Sequence, residues 1–306
     1  MIGKDAADAA KEIMDIQVKN PSQVGLLSAY YSVFTTPYNI EILFATSSDN
    51  SNEVELYNNP ISYGGKGYTN PTQELVDAYE TTKGYPIDDP RSGYDPENPY
   101  KGRDPRMEYS VAYNGLKFSG TPIETFVGGK DGLNKTPTAT KTGYYMRKFI
   151  DQNLDLSKDQ KRRRPWILFR YAEILLNYAE AMNEYLDAPD QSIYDAVNLI
   201  RKRAKIPQLN IRMNLSKEEM RARIRNERRV ELAFEEHRFW DVRRWEEGQT
   251  YFNQPIHGMR ITMENEKASY ETFVVEERVF EPKMNYYPIP QSELQKNSKL
   301  DQNPGW

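Results

Sequence analysis

The stretch RIRNERRVELAFEEHRFWDVRRWEEG, residues 223–248, is the feature that most constrains the fold of this chain. At about 100° per residue of an α-helix, Glu227, Glu231 and Glu235 fall on one face, and Arg238 shares it. Like charges four residues apart destabilise an isolated helix by a few tenths of a kcal/mol per pair. The three glutamates therefore require cations from elsewhere, and we expect a buried ion-pair seam. The expected partners are three arginines of the preceding helices: Arg170, Arg201 and Arg203.

Carboxylates on one helix face also match the acid/base pair of a glycoside hydrolase, whose two carboxyl groups lie roughly 5 to 9.5 Å apart. Glu231 and Glu235 are the residues that such an enzyme would use. Glutamates on adjacent turns meet that distance in almost any helix. The spacing therefore favours the ion-pair seam over catalysis.

The charge balance and the residue types exclude several classes of function. The chain has 41 Lys and Arg against 45 Asp and Glu, a formal net charge of −4, so no positive field attracts a nucleic acid. It has no Cys, which removes disulfides, thiolate catalysis and zinc–thiolate sites. His237 and His257 lie in separate segments without metal-ligand spacing. We expect no metal, no cofactor and no nucleic acid partner.

The chain divides into a loop-rich region and a helical region. Gly, Pro, Asn, Asp, Ser and Thr cluster repeatedly from about residue 36 to 160. Within this region we predict a helix at 71–82, and the weakly alternating segment 106–115 could be a short strand. Loop regions this long are more often functional or closely packed than idle. We therefore place the ligand region at about 36–160.

Helical periodicity dominates from about 165 to 247. Pro165 suits the first position of a helix through WILFRYAEILLNYAEAMNEYL, and SIYDAVNLIRKRA completes a helical hairpin. Ser216 and Glu219 form a capping box before the third helix, which contains the glutamate stretch. The remaining patterned segments are a helix at 5–19, a short amphipathic piece at 24–34 and an alternating segment at 271–282.

Aromatic residues in the loop-rich region supply the candidate binding site. Tyr57, Tyr63 and Tyr68 lie in a Gly- and Asn-rich segment, where Asn58 adds an amide. A sugar ring offers an apolar C–H face for stacking and hydroxyls for hydrogen bonds, which aromatic and amide side chains complement. These four residues are the predicted ligand contacts. Further candidates are Tyr38 and Tyr94.

Two glycine motifs and one basic run carry weaker signals. The segments GGKG (64–67) and GGKDG (128–132) lack the G-x-x-x-x-G-K-[ST] frame of a phosphate loop and indicate turns. The run KRRRP (161–165) is interpreted as a solvated or ion-paired loop, because cations before a helix oppose its dipole.

Four segments together resemble the SusD/RagB family of Bacteroidetes outer-membrane lipoproteins. PTQELVDAYETTKGYPIDD and NPYKGRDPRMEYSVAYNG are similar to the middle region of that family, and RPWILFRYAEILLNYAEAMNE with DAVNLIRKRAKIP is similar to its helical hairpin. MRARIRNERRVELAFEEHRFWDVRRW resembles its R-x-E-R-x-x-E-L-x-x-E-x-x-R-x-x-D-x-x-R-W helix. YYPIPQSELQKNSKLDQNPGW resembles its usual ending. The similarity covers nearly the whole chain in the right order.

The resemblance implies a mainly α fold with tetratricopeptide-like helix pairs, long irregular loops and a few short strands. It implies a non-catalytic protein that captures oligosaccharides or other nutrients at the bacterial surface and docks on a SusC-like TonB-dependent transporter. It also implies an outer-membrane location, with membrane contact only through a lipid anchor. A protein–protein adaptor that binds no glycan is an alternative.

The resemblance further implies that residues 1–306 form one SusD/RagB-like domain, the C-terminal portion of a longer protein. The N-terminal scaffold helices and the lipid-anchor region, with its anchoring Cys, are expected to be absent. Ligand loops vary between family members, so no individual contact residue carries over.

Overall fold

The computed structural model describes residues 2–46 and 49–306. Residues 47 and 48 of the predicted loop-rich region, and Met1, lie outside the described residues. The helices are α1 (Ile2–Lys19), α2 (Ser32–Thr35), α3 (Glu53–Asn58), α4 (Gln73–Ala78), α5 (Pro105–Ser110), α6 (Tyr171–Tyr185), α7 (Gln191–Ala204), α8 (Lys217–Glu231), α9 (His237–Arg244), α10 (Gly248–Phe252) and α11 (Gln291–Lys296).

The strands form five separate antiparallel pairs: β1 with β8, β2 with β7, β3 with β6, β4 with β5, and β9 with β10. All are short except β9 and β10, which have 9 and 10 residues. They are β1 (Ile42–Thr46), β2 (Asn50–Ser51), β3 (Val111–Ala112), β4 (Lys117–Phe118), β5 (Thr121–Pro122), β6 (Tyr145–Met146), β7 (Arg162–Arg163), β8 (Trp166–Arg170), β9 (Ile256–Glu264) and β10 (Lys267–Glu276). The mainly helical fold with few short strands is confirmed.

The helical scaffold is built around α6, which packs against α1, α7 and α8. Ile174, Ile193, Val197 and Ile224 bury their side chains in the core between these helices. Apolar residues three and four apart give α7 and α8 one buried stripe each, whereas α6 is buried on several sides because it packs against three helices. The predicted hairpin of α6 and α7 is confirmed. So is the helix predicted at 5–19, which belongs to α1.

The capping box at the start of α8 is also confirmed. The Ser216 hydroxyl accepts a hydrogen bond from the Glu219 amide at 3.1 Å, and the Glu219 carboxylate accepts one from the Ser216 amide at 2.7 Å. Each side chain satisfies an amide that the first helical turn leaves unpaired.

The prediction that a helix begins at Pro165 was wrong for residues 165–170. Trp166–Arg170 is strand β8, and α6 begins at Tyr171. β8 pairs with β1, and the Tyr171 amide donates to the Glu41 carbonyl at 2.8 Å. Apolar runs of this length fit strand or helix equally by periodicity, and pairing with a distant strand decided the outcome.

The periodicity of the stretch 223–248 predicts one helix, but the structure has two. α8 ends at Glu231 and α9 begins at His237, with Phe234 (φ 63°) and Glu236 (φ 67°) left-handed between them. Left-handed residues cannot continue a right-handed helix. Arg238 therefore leaves the glutamate face, and its guanidinium lies 4.3 Å from the Tyr251 ring centroid instead.

Four shorter segments also differ from expectation. Within 24–34 only the start of α2 is helical, and the helix predicted at 71–82 shrinks to α4. The segment 106–115 contains most of α5 and the two-residue strand β3. The alternating segment 271–282 contributes its first half to β10.

The loop-rich region is packed tightly despite its low content of regular structure. Arg103 is buried and donates hydrogen bonds to the carbonyls of Val76 (2.6 Å), Tyr79 (2.8 Å) and Pro99 (2.8 Å). Backbone carbonyls that have no ladder partner thus receive a side-chain donor. The loops are held in place by buried polar side chains.

Candidate ligand-binding site

The candidate site begins where the chain folds back over the end of α3. The Tyr68 amide donates to the Tyr57 carbonyl at 2.8 Å, and the Lys66 amide donates to the Leu56 carbonyl at 2.9 Å. The Gly67 amide donates to the Asn59 carbonyl at 3.3 Å. These bonds bring two aromatic residues eleven positions apart in sequence to the same place.

Two glycines make this close approach possible. A Cβ at residue 65 would lie 2.1 Å from the Asn59 carbonyl oxygen. Gly67 has φ +52°, and a Cβ there would lie 2.6 Å from the Tyr145 ring and 2.9 Å from the Thr138 carbonyl oxygen. The GGKG segment is thus a turn, as predicted, and its glycines shape the site.

Tyr57 and Tyr68 form an exposed pair of nearly parallel rings. The ring centroids are 5.7 Å apart and the planes differ by 11°. Tyr57 is 38% exposed and Tyr68 is 62% exposed. We call these two residues the tyrosine pair. Both side chains are exposed to solvent, and backbone hydrogen bonds hold the two residues side by side.

Lys66 places a positive charge on the tyrosine pair. Its ammonium nitrogen lies 5.1 Å from the Tyr57 ring centroid and 5.8 Å from the Tyr68 centroid. Both distances fit cation–π attraction to the negative ring face. The half-buried side chain is therefore positioned by the rings.

The other two predicted contacts are placed differently. The Tyr63 hydroxyl donates to the Phe118 carbonyl at 2.7 Å and the Thr121 carbonyl at 3.1 Å, and its ring packs 4.9 Å from the Phe118 ring. The Asn58 amide nitrogen donates to the Val54 carbonyl at 2.9 Å, within its own helix. Tyr63 thereby holds the β4–β5 turn, and Asn58 braces α3.

Tyr63 lines an open groove of about 560 Å³ between α3 and the segment 152–157. Asn59 lies at the base of this groove, 4% exposed, and its Oδ1 has no hydrogen-bond partner among the described residues. Burying an amide oxygen without a partner costs free energy, so a water molecule or polar group that reaches this oxygen is favoured. The Asn repeat in NNPISYGG is the sequence signal for Asn59, but its burial depends on the fold.

Among the described residues, the further candidates Tyr38 and Tyr94 form no ring contact with the tyrosine pair. Tyr38 is exposed, with a left-handed φ of 54°. Tyr94 is half-buried beneath the Arg103 guanidinium, 5.3 Å from its ring centroid.

A second cluster of polar residues lies inside the protein. We call it the charge network, and each side chain in it is at most 5% exposed. Its cations are Arg106, Lys148, Arg170, Arg201 and Arg203, and its carboxylates are Glu41, Glu80, Asp104, Glu227, Glu231 and Glu235. The predicted ion-pair seam is confirmed.

Arg170 lies at the centre of the charge network. It donates to the carboxylates of Glu41 (2.7 Å), Glu231 (2.7 Å) and Glu235 (2.6 Å). Arg203 also donates to Glu231 and Glu41. Arg201 donates to Glu227 at 3.1 Å. The three arginines predicted as partners therefore all bind glutamates of the predicted face.

The sequence did not reveal the other network members. Arg106 donates to Glu227 at 2.5 Å and Glu231 at 3.0 Å, and Lys148 donates to Glu235 at 2.6 Å. Glu41 accepts from two arginines. These residues come from the loop-rich region, where no periodicity marks their burial.

The pKa values of Glu231 and Glu235 oppose a role as general acid. Burial raises the pKa of Glu231, but Arg203, Arg170 and Arg106 outweigh burial and hold it well below its usual value. Arg170 and Lys148 likewise lower the pKa of Glu235 against burial. A glycosidase acid needs a raised pKa and contact with its substrate. Glu231 is ionised and 0% exposed, so it has neither.

The two histidines and the basic run singled out in the sequence have acidic partners close by in space. His257 lies 2.5 Å from the Glu74 carboxylate, and His237 lies 3.8 Å from Glu173. In the KRRRP run, Arg162 pairs with Asp151 at 2.5 Å, which confirms the ion-paired interpretation. Across residues 2–46 and 49–306, no group of three or more His, Cys, Asp or Glu could hold a metal ion. No helix in that part of the chain is long and apolar enough to cross a membrane.

This chain is similar to known proteins of one family. The family model of the SusD family matches residues 29–306. A SusD-like protein P2 of Formosa agariphila is 34% identical over 147 residues, which is 46% of this chain and 26% of that protein.

Two solved structures from Bacteroides fragilis are similar over almost the whole chain. A SusD-like protein superimposes with a TM-score of 0.81 at 28% identity, over 99% of this chain and 62% of the other. A SusD-like carbohydrate-binding protein gives 0.78 at 29% identity, over 97% and 62%. The chain therefore spans about a quarter of the curated relative and under two thirds of these structures.

Proposed function

We propose that this chain, which belongs to the SusD family, binds oligosaccharides or polysaccharides through the tyrosine pair. The observation that carries the proposal is the pair itself, two nearly parallel exposed rings held by backbone hydrogen bonds. The similarity to a carbohydrate-binding member of the family supports it.

Binding follows from the chemistry of the two surfaces. The C–H face of a sugar ring stacks on Tyr57 or Tyr68, which removes apolar area from water while ring hydroxyls stay solvated. Each tyrosine has only two side-chain torsions, and the neighbouring ring and Lys66 restrict both residues. Little conformational entropy is then lost when a ligand binds. The groove that Tyr63 lines also carries the polar side chains of Ser62, Gln152 and Asn153, which supply hydrogen-bonding groups for adjoining sugars.

Alanine substitution of the tyrosine pair tests the proposal. We expect the double variant Tyr57→Ala/Tyr68→Ala to bind a retained polysaccharide at least tenfold more weakly, about 1.4 kcal/mol. The measurement is affinity electrophoresis, followed by calorimetry on any polysaccharide that retards the wild type. Tyr185→Ala on α6 is the control, since it removes a ring whose exposure, 47%, lies between those of Tyr57 and Tyr68. Unchanged affinity in the double variant would rule out this site.

The proposed role is non-catalytic. Glu231 and Glu235, the carboxylates that a hydrolase would use, neutralise buried cations in the charge network. A glycan bound by the wild type should therefore yield no new reducing ends on long incubation. Their release would restore the hydrolase alternative.

The proposal extends to where the protein acts. Membership of the SusD family supports lipid-anchored display on the bacterial outer membrane and delivery of the glycan to a SusC-like TonB-dependent transporter. An exposed aromatic cluster of Phe239, Trp240 and Tyr287 supports a protein contact. Recovery of the transporter with the full-length protein from membranes tests this partner. Recovery together with an empty glycan screen would favour the adaptor alternative.

A further inference from the structure

We infer that the glycan bound at the tyrosine pair is anionic and that Lys66 recognises its carboxylate or sulfate groups. This inference rests on the proposed function, because it assigns a substrate class to the same site. It starts from the ammonium group that lies within 6 Å of both ring centroids.

Lys66 has no carboxylate partner among the residues that the structure describes. Many other cations near the loops are paired, as Arg162 is with Asp151 and Lys161 with Asp159. A cation that is left unpaired and is fixed over two ring faces can accept an anion without breaking an existing ion pair. The rings bind the apolar face of a sugar, and the ammonium binds a negative group carried by that sugar or its neighbour.

The other charges of the protein oppose an anionic ligand, so recognition has to come from contacts at the tyrosine pair and Lys66. The chain has a formal net charge of −4, so its overall field repels an acidic polymer. Glu53 lies four residues before Tyr57 on α3 and so shares its face. An acidic glycan must overcome both effects through contacts at the site. Binding of such a glycan is therefore not simple ion exchange.

The test uses matched pairs of polysaccharides that differ in charge alone. Polygalacturonate and its methyl ester compare a carboxylate with a neutral group, and dextran sulfate and dextran do the same for sulfate. We expect at least one anionic member to bind about fivefold more tightly than its neutral partner, the size of one exposed ion pair. Which pair shows the difference identifies the anionic group. The preference should shrink as salt rises.

Substitutions assign the preference to Lys66. We expect Lys66→Gln to abolish the difference within each pair, Lys66→Arg to retain it, and the exposed control Lys101→Gln to leave it unchanged. Glu53→Gln should strengthen anionic binding. Equal binding of both members by the wild type, or discrimination that survives in Lys66→Gln, overturns the inference while the proposed glycan binding stands. Retardation by none of the four polysaccharides also overturns the inference, whereas the proposed function fails only if no glycan binds the wild type or the Tyr57→Ala/Tyr68→Ala variant keeps full affinity.

Discussion

The charge network and the tyrosine pair use polar and aromatic side chains for opposite purposes. In the charge network, Arg170 donates to three carboxylates and is only 1% exposed. In the tyrosine pair, 62% of Tyr68 is exposed, and Lys66 carries a charge without a carboxylate partner in the described part of the chain. A satisfied, buried group fixes the fold, whereas an unsatisfied, exposed one is free to bind.

The same comparison holds at the backbone. The carbonyl of Glu231, at the end of α8, accepts from Tyr30 (3.1 Å), Lys148 (3.0 Å) and Arg170 (2.9 Å). Cations at a helix C-terminus are favourable, and here they also connect α8 to the loops. The turn that carries Tyr68 is held by backbone bonds and glycines instead. We therefore expect a broken ion pair in the network to lower the stability of the whole fold, and a change in the turn to alter the local shape of the site.

The largest expected effect comes from removing the central cation of the network. Arg170→Met leaves Glu41, Glu231 and Glu235 buried with fewer cations, and breaking a buried pair on one side costs about 3–5 kcal/mol. We expect the free energy of unfolding, measured by urea denaturation, to fall by that amount or the protein to fail to fold. Arg260→Met is the control, because its pair with Glu271 is exposed and contributes about 1 kcal/mol at most. Equal losses in both variants would contradict the comparison.

A smaller effect is expected from Gly67→Ala, which acts on the turn. The new Cβ would press on the Tyr145 ring and the Thr138 carbonyl at a left-handed φ. Overpacking of this kind costs about 1–3 kcal/mol. Glycan affinity should fall as well, because Tyr68 is displaced from Tyr57. The matched control is Gly120→Ala, with φ +87° and nothing within 4 Å of its Cβ. Its loss of stability measures the cost of a left-handed backbone without any steric clash.

The smallest effect should follow from lowering the pH from 7 to 4. The pKa of Glu231 is well below its usual 4.5 in the folded protein, so the unfolded chain takes up protons first as pH falls. Its contribution is therefore fully present above about pH 4.5 and is lost as pH falls towards the folded-state pKa. Urea midpoints at pH 7, 5 and 4 should show a decrease only below about 5. A midpoint that rises on acidification would contradict the role of the network carboxylates.

The helical half of the fold was predictable because its signals are local. Ile193 and Val197 are spaced for one buried face, and Ser216 with Glu219 marks a helix start whatever surrounds it. The strand Trp166–Arg170 was missed because its pairing partner lies more than 120 residues away. A local period cannot report such a partner.

The composition of the sequence predicted the region of the candidate site but not the contacts within it. Tyrosines among glycines and asparagines indicated the region, but not which rings would meet. The structure pairs Tyr57 with Tyr68 and turns Tyr63 towards Phe118. These outcomes depend on left-handed turns at Gly64 and Gly67 and on contacts with Tyr145, which no spacing in the segment reveals.

The sequence by itself determined the family, the helical scaffold and the need of Glu227, Glu231 and Glu235 for arginine partners, because stacked like charges must be neutralised. Tertiary structure alone decided that Arg106, Lys148 and Glu41 join them and that the helix breaks before Glu235. It also decided that Lys66 lies beside two parallel rings. Charge balance along a helix is a local quantity, whereas burial and the meeting of distant side chains arise only when the whole chain packs.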